Sequence, residues 1–212
     1  MSLVADPIAL TLDDVARLGR EACGFINRIY LHWTGGHYGH VYGEYHLSID
    51  RDGTMYVPED GAGAKALTIF REHTWHRNTG AMSIAICGAF GAEARSSTDI
   101  DFGPEPPTPS QVERMARVVG ILCPVLRIMP VPQVVMTHCE AAMKDGYGPG
   151  SGDPQTKWDF WQLPDRPFHE ELYPGGEVLR RKALGYMEGS PTQYHLFRSS
   201  PIILSQGEEV NG

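Results

Sequence analysis

Two different spacings of apolar residues divide the first part of the chain into helices and strands. Between Thr11 and Cys23, leucine, valine and alanine recur at helical spacing, and Thr11 is suited to begin a helix. A second helix is predicted from Pro109 towards Arg127. Thr108 can cap it, proline is favoured at its first position, and Gln111 completes a capping box.

Short apolar or alternating runs predict strands between these helices. Arg51-Asp52-Gly53 is typical of a hairpin turn, and residues 91–107 and the glycine-rich stretch 145–152 are predicted to be loops. Order is expected to weaken from Pro174 onwards. The predicted strands are Asn27–Trp33, Glu44–Ile49, Thr54–Val57, Ala81–Phe90 and Val131–Thr137. Strands that alternate with helices indicate an α/β fold, with a central mixed sheet flanked by helices.

Composition narrows the class of protein. A chain of 212 residues can bury one substantial core, so we expect a single domain over residues 1–212. The formal net charge of −8 disfavours a nucleic-acid partner, which would be held through its phosphates. Nothing in the sequence fixes the oligomeric state.

The N-terminal stretch does not resemble a secretory signal. It lacks a basic segment and carries Asp6, Asp13 and Asp14 among its apolar residues. No apolar run approaches the ~18 residues of a membrane-spanning helix, so no membrane insertion is expected. These features predict synthesis in the cytoplasm without a signal peptide.

Three residues of types that commonly bind metals stand where predicted strands or loops end. His32 closes one strand, His138 directly follows another, and Asp153 follows the glycine-rich stretch. Two imidazoles and a carboxylate form a catalytic zinc set, which leaves a fourth position for water. Spacing alone leaves a second interpretation open, in which both histidines are ordinary strand-end residues that hydrogen-bond to the backbone.

Six segments together resemble one family, the zinc-dependent N-acetylmuramoyl-L-alanine amidases of the second type, which share a fold with peptidoglycan recognition proteins. Each segment alone is unspecific, but the six occur in the family's order. They are RIYLHWTGG, EYHLSIDRDGTMY, HTWHRNTGAMSIAICGAF, PTPSQVERMARVVGILC, VVMTHCEAA and SGDPQTKWDFW, between residues 28 and 161. The resemblance implies a family-like core of about residues 25–165, with residues 166–212 as a C-terminal extension.

The resemblance implies a zinc ion in a groove at one face, held by His32, His138 and Asp153. Asp145 or Asp159 could replace Asp153, although we expect Asp159 to brace the loop. The implied reaction is hydrolysis of the amide bond between N-acetylmuramic acid and L-alanine, in intact peptidoglycan or in a soluble muropeptide.

Further residues receive roles from the same resemblance. Tyr45 matches the catalytic tyrosine, with a core tyrosine as the alternative. A second catalytic group stands two residues before the third ligand, where the family has Lys or Thr and this chain has Ser151. Glu140 is a candidate acid or base, or a brace for a ligand. His73 and Asn78 are candidate substrate contacts from the loop before the central strand.

Two other functions compete with the amidase. A non-catalytic peptidoglycan-binding module of the same fold would lack the third ligand. A zinc nucleobase deaminase would need a P-C-x-x-C motif after His138-Cys139-Glu140, and no cysteine follows Cys139. The expected physiological role is that of an endolysin released by a holin-type route, or of a cytoplasmic enzyme that cleaves wall fragments.

Overall fold

The computed structural model describes residues 1–96, 99–153, 157–164 and 175–188. In chain order the strands are β1 (Ile8–Leu10), β2 (Arg28–Trp33), β3 (Leu47–Ile49), β4 (Met55–Val57), β5 (Ala81–Ile86), β6 (Glu93–Ser96), β7 (Asp99–Asp101) and β8 (Val135–Thr137). The α-helices are α1 (Leu12–Glu21), α2 (Pro109–Leu126), α3 (His138–Asp145) and α4 (Gly175–Glu188). Short 3-10 helices cover Glu59–Ala62 and Ala66–Thr68.

Six strands form the central sheet in the order β1-β4-β3-β5-β2-β8. The neighbours β3, β5, β2 and β8 run parallel, whereas β4 pairs antiparallel with both β1 and β3. The expected α/β fold with a central mixed sheet and flanking helices is confirmed. The assignment of the whole chain to one domain stays a prediction.

The two predicted helices form where their caps require. Thr11 and Asp14 make a reciprocal capping box at α1, and Thr108 and Gln111 make one at α2. Gln111 also donates two side-chain hydrogen bonds into the sheet, to the carbonyls of Ile49 and Cys87 at 3.0 and 2.6 Å. The start of α2 is thereby tied to the carboxyl ends of β3 and β5.

Several elements differ from the sequence prediction. The strand expected at Val131–Thr137 begins only at Val135, because residues 131–134 form a turn closed by Val134 N–H and the Val131 carbonyl at 2.9 Å. The loop expected at residues 91–107 contains the β6–β7 pair. Contrary to the weaker order expected from Pro174 onwards, residues Gly175–Glu188 form α4, which packs along α2 and against β8. The rest of the expected C-terminal extension, residues 166–174 and 189–212, lies outside the described residues.

His46 is a buried histidine of the fold and directly precedes β3. Its Nδ1 accepts a hydrogen bond from the Ser83 backbone N–H at 3.1 Å, and its Nε2 donates to the Ile69 carbonyl at 2.8 Å. Burial lowers the pKa of His46 from 6.5 to about 4. The folded protein therefore holds this imidazole neutral where the unfolded chain would protonate it.

This histidine should make the protein less stable in mild acid. Between pH 6.5 and about 4 the unfolded chain binds a proton that folded His46 does not bind, so the free energy of unfolding falls as the pH falls. The full contribution is about 3 kcal/mol at ~1.4 kcal/mol per pKa unit. Denaturant titrations of the wild type and His46→Gln should show a shallower pH slope for the variant. The exposed His76→Gln serves as control, and equal slopes in the wild type and His46→Gln would contradict the prediction.

Candidate metal centre

The carboxyl ends of two parallel strands bring His32 and His138 together, although 106 residues separate them in sequence. Strands β2 and β8 pair with Leu31 opposite Thr137, so the next residue of each strand reaches the same level at the sheet edge. The two Nδ1 atoms lie 3.1 Å apart. Ligand sites of parallel sheets lie at this edge.

His138 is fixed by a helix that begins without an intervening loop. Thr137 ends β8 and caps α3, and its side-chain oxygen accepts the Glu140 N–H at 3.1 Å. In return, the Glu140 carboxylate accepts the Thr137 N–H at 2.9 Å. His138 is therefore the first helical residue, with backbone hydrogen bonds on both sides that hold its direction.

Asp159 supplies the third group. Its carboxylate oxygen lies 3.5 Å from His32 Nδ1 and 3.6 Å from His138 Nδ1. Its position follows from a tight turn, in which Trp161 N–H donates to the Trp158 carbonyl at 2.8 Å. Phe160, the residue between, adopts a left-handed conformation with φ of 59° and is fully buried. The buried aromatic ring anchors the turn, and the carboxylate of the neighbouring Asp159 points towards the histidines.

These three residues form a group that could hold a metal ion. Among the described residues, His32, His138 and Asp159 are the His, Cys, Asp or Glu side chains whose ligand atoms lie within 4.8 Å of one another, and all three are buried. A tetrahedral zinc ion with bonds of about 2.0–2.2 Å separates its ligand atoms by about 3.3 Å. The separations of 3.1, 3.5 and 3.6 Å fit that geometry.

The protonation states suit a cation as well. Burial lowers the pKa of His32 to about 4, so this imidazole is neutral and has a lone pair to offer. Burial alone would raise the pKa of the Asp159 carboxyl, but His138 and His32 outweigh it and hold that pKa well below its usual value. Asp159 is thus a buried carboxylate beside two imidazoles, an arrangement that a bound cation stabilises.

The structure does not bring Asp153 into this group. Asp153 is exposed at the rim of the larger cavity described below, where its backbone N–H donates to Ser151 Oγ at 3.1 Å. This departs from the ligand set that the resemblance implied, in which Asp159 was the brace. The physical reason is local: the residues that lead into Asp153, 149–152, are exposed or only partly buried, whereas the turn at Asp159 is pinned by the fully buried Phe160.

Glu140 and Ser151 hydrogen-bond to residues outside the group of His32, His138 and Asp159. Both oxygens of Glu140 accept from the Arg180 guanidinium at 2.8 Å, so this carboxylate braces the start of α3. The brace is one of the two roles that the sequence allowed for Glu140. Ser151 is exposed and does not line either of the two cavities at the site.

Tyr45 lies against the histidine pair, with its ring centroid 5.3 Å from that of His32. It is almost fully buried, and burial raises the pKa of its phenol well above the usual value. The phenol therefore keeps its proton and can act as a hydrogen-bond donor. Its position is compatible with the catalytic role that the resemblance implied.

His73 and Asn78 form the wall beside His32. Thr74 Oγ1 lies 3.3 Å from His32 Nε2 and 2.9 Å from His73 Nδ1, and so connects the two rings. Asn78 Oδ1 accepts the backbone N–H groups of His73 and Thr74 at 3.2 and 2.8 Å. Asn78 thus shapes the loop, and Thr74, which sequence reasoning missed, orients the ring of a candidate ligand.

Two cavities meet at the centre and share the residues Met1, Tyr45, His138 and Lys157. The larger, of about 930 Å³, has aromatic walls, and the smaller, of about 350 Å³, is lined by tryptophans and small residues. Besides the shared residues, the larger cavity is lined by Phe70, Trp75 and Tyr147, and the smaller by Trp33, Trp158, Gly35 and Gly91. The site is therefore open on two sides.

The sequence profile of the N-acetylmuramoyl-L-alanine amidase family matches residues 22–156. This match covers more than half of the chain, and the chain belongs to that family, whose activity is directed at peptidoglycan. The family membership expected from the sequence is confirmed. Comparison with curated proteins gave no match. Within the described segments, no helix has the length and apolar character needed to cross a membrane.

Proposed function

We propose that the protein is a zinc-dependent hydrolase of the amide bond between N-acetylmuramic acid and L-alanine. The observation that carries this proposal is the buried group of His32, His138 and Asp159, with separations that fit a tetrahedral zinc ion. When bound, the metal would polarise the amide carbonyl and make a water molecule a nucleophile near neutral pH. The remaining chemistry depends on the residues around it.

Lys157 replaces Ser151 in our assignment of the second catalytic group. The resemblance places that group two residues before the third ligand. If the third ligand is Asp159, the position is Lys157, a residue type that the family uses there. Lys157 lines both cavities, and its charge contributes to lowering the pKa of His32. Its ammonium group would stabilise the negative charge that develops on the carbonyl oxygen.

Tyr45 complements this lysine. Its phenol, which burial keeps protonated, lines both cavities beside His138 and can donate a hydrogen bond to the reacting oxygen or to the attacking water. Tyr45 and His138 thus face the place where the cavities join, and we propose that the scissile amide lies there.

The shape of the site agrees with a bond that has a bulky group on each side. An amide between a sugar acid and a peptide needs room for the glycan and for the stem peptide at once. The two cavities on either side of Tyr45 and Lys157 provide that room, and their aromatic walls offer flat apolar surfaces.

Defined muropeptides provide the direct test of this function. Incubation with the purified protein should release a peptide with a free L-alanine amino terminus, since the bond broken is the lactyl amide. A chelator should stop the reaction and added zinc should restore it, both followed by mass spectrometry of the products. Cleavage within the glycan, cleavage between amino acids, or hydrolysis insensitive to the chelator would each contradict the proposal.

The same assay addresses the non-catalytic alternative and the physiological role that the sequence left open. Binding of muropeptide without any product, by a protein that contains no zinc, would identify a peptidoglycan-binding module. Parallel incubation with intact cell walls measures the ratio of the rate on walls to the rate on soluble muropeptides. A higher rate on walls favours the endolysin role, and a higher rate on muropeptides favours an enzyme that acts on soluble fragments.

A further inference from the structure

Helix α4 lies beyond the residues matched by the family profile. Its first turn nevertheless contacts two segments, one that carries His138 and one that carries Asp159. We infer that this turn, Gly175–Arg180, is a positioning element that sets His138 and Asp159 relative to each other. The inference rests on the proposed function, since it takes His32, His138 and Asp159 as the metal ligands. This turn makes three contacts that support the inference.

The first contact is made by Arg180, which is almost fully buried. One guanidinium nitrogen donates to the Val135 carbonyl at 3.0 Å and to Glu140 at 2.8 Å, and the other donates to the second Glu140 oxygen at 2.8 Å. Val135 stands three residues before His138 and Glu140 stands two after it. Arg180 therefore holds the chain on both sides of this ligand, with the fork geometry that only arginine provides.

The second contact depends on Gly176. A Cβ atom at this position would lie 2.6 Å from both oxygens of Glu140, closer than real side chains approach. The absence of a side chain lets the helix backbone lie directly against the carboxylate that Arg180 binds. A methyl group here would displace Glu140, and with it the capping box that begins α3 at His138.

The third contact reaches the other ligand segment through Gly175. A Cβ atom there would lie 2.6 Å from the Phe160 carbonyl and 3.2 Å from the Leu163 side chain. Phe160 directly follows Asp159 and is the buried anchor of its turn. Two adjacent glycines thus allow one helix turn to touch the Asp159 segment and the His138 segment at the same time.

The helix can act as a positioning element because its other end is fixed. A Cβ atom on Gly120 of α2 would lie 2.8 Å from Tyr186 Cβ and 2.9 Å from the Ala183 carbonyl, so α4 and α2 pack backbone to backbone. Lys182 adds an ion pair with Glu113 of α2 at 2.5 Å. Since Gln111 ties α2 to the sheet that carries His32, the frame connects all three candidate ligands.

A matched pair of glycine substitutions tests the inference in the full chain. Gly176→Ala should weaken zinc binding about 10–100-fold, the range seen when groups that orient metal ligands are removed. Gly185→Ala, in the same helix but with nothing within 4 Å of its new methyl group, should bind zinc as the wild type does. Zinc dissociation constants come from competition with a chromophoric chelator, and thermal unfolding of the metal-free proteins is recorded alongside. Equal zinc affinity in the two variants would overturn the inference.

A second pair decides the matter if Gly176→Ala does not fold. Arg180→Lys keeps the positive charge but cannot bind both Glu140 oxygens and the Val135 carbonyl together, so zinc affinity should fall about 10-fold. Arg181→Lys, on the exposed side of α4, is its control. The Co²⁺-substituted Arg180→Lys protein should also show an altered visible spectrum, which a change in stability alone would not produce. An unchanged affinity and spectrum would overturn the inference.

The outcomes separate the inference from the proposed function. A folded wild-type protein that binds no zinc would overturn both. A wild type that binds zinc, with Gly176→Ala and Arg180→Lys binding it equally well, would overturn the role of α4 and leave the proposed amidase standing.

Discussion

Replacing Asp159 by alanine is expected to remove tight zinc binding and hydrolysis together. The variant loses one of the three proposed ligands, so zinc affinity should fall by more than the ~100-fold that follows loss of a group that merely orients a ligand. Asp153→Ala is the matched control, because it removes the same residue type from an exposed site six positions earlier in the chain. Zinc content after dialysis and the rate of muropeptide cleavage measure the difference. If zinc is instead lost from Asp153→Ala and kept by Asp159→Ala, the third ligand is Asp153.

Lys157→Met is expected to reduce kcat by about 100- to 1000-fold, the range for loss of one group that stabilises a developing negative charge. Zinc binding should persist, because the lysine contributes charge and no ligand atom. Methionine keeps most of the apolar stem of the side chain. The control is Lys144→Met, which removes the same charge from an exposed position on α3. An unchanged kcat, or an equal loss in both variants, would contradict the role of Lys157.

The helices whose caps lie within one turn of sequence could be predicted from the sequence alone. Helices α1 and α2 begin at their caps, because the Thr11–Asp14 and Thr108–Gln111 pairs act within one turn. Helix α3 was not predicted from the sequence, because the strand before it passes directly into the helix. The Thr137–Glu140 capping box also spans His138, which was interpreted only as a candidate ligand. Helix α4 begins with Gly175 and Gly176, which give no local signal for a helix start, and its stability depends on packing against α2.

The candidate ligands, too, could be predicted from the sequence only in part. His32 and His138 could be proposed from sequence because each ends a strong apolar strand, and parallel strands bring such ends together. The choice between Asp153 and Asp159 depends on burial, which spacing does not report. One signal was available: Asp159 is flanked by Trp158 and Phe160, whereas Asp153 stands between glycine and proline. Aromatic neighbours predict a turn that is pinned to the core, and glycines do not.

Thr74 and Arg180 could not have been found by reading the chain in this way. Each acts through a contact that is distant in sequence: Thr74 lies 42 residues from the candidate ligand His32, and Arg180 lies 40 residues from Glu140, which braces the helix that carries His138. Their roles follow from tertiary contacts alone. A threonine in a loop and an arginine in a helix carry no local pattern that distinguishes them from solvent-exposed residues.

The direct passage of β8 into α3 has a consequence for how a metal ion would be captured. With no loop between Thr137 and His138, the ligand has little freedom left to lose, and the ordering of its backbone is completed during folding. Capture of the ion would then cost little conformational entropy, so affinity could depend mainly on bond formation and release of water. A preorganised centre of this kind should show the same backbone order with and without metal, as hydrogen exchange at the amides of residues 137–140 would reveal.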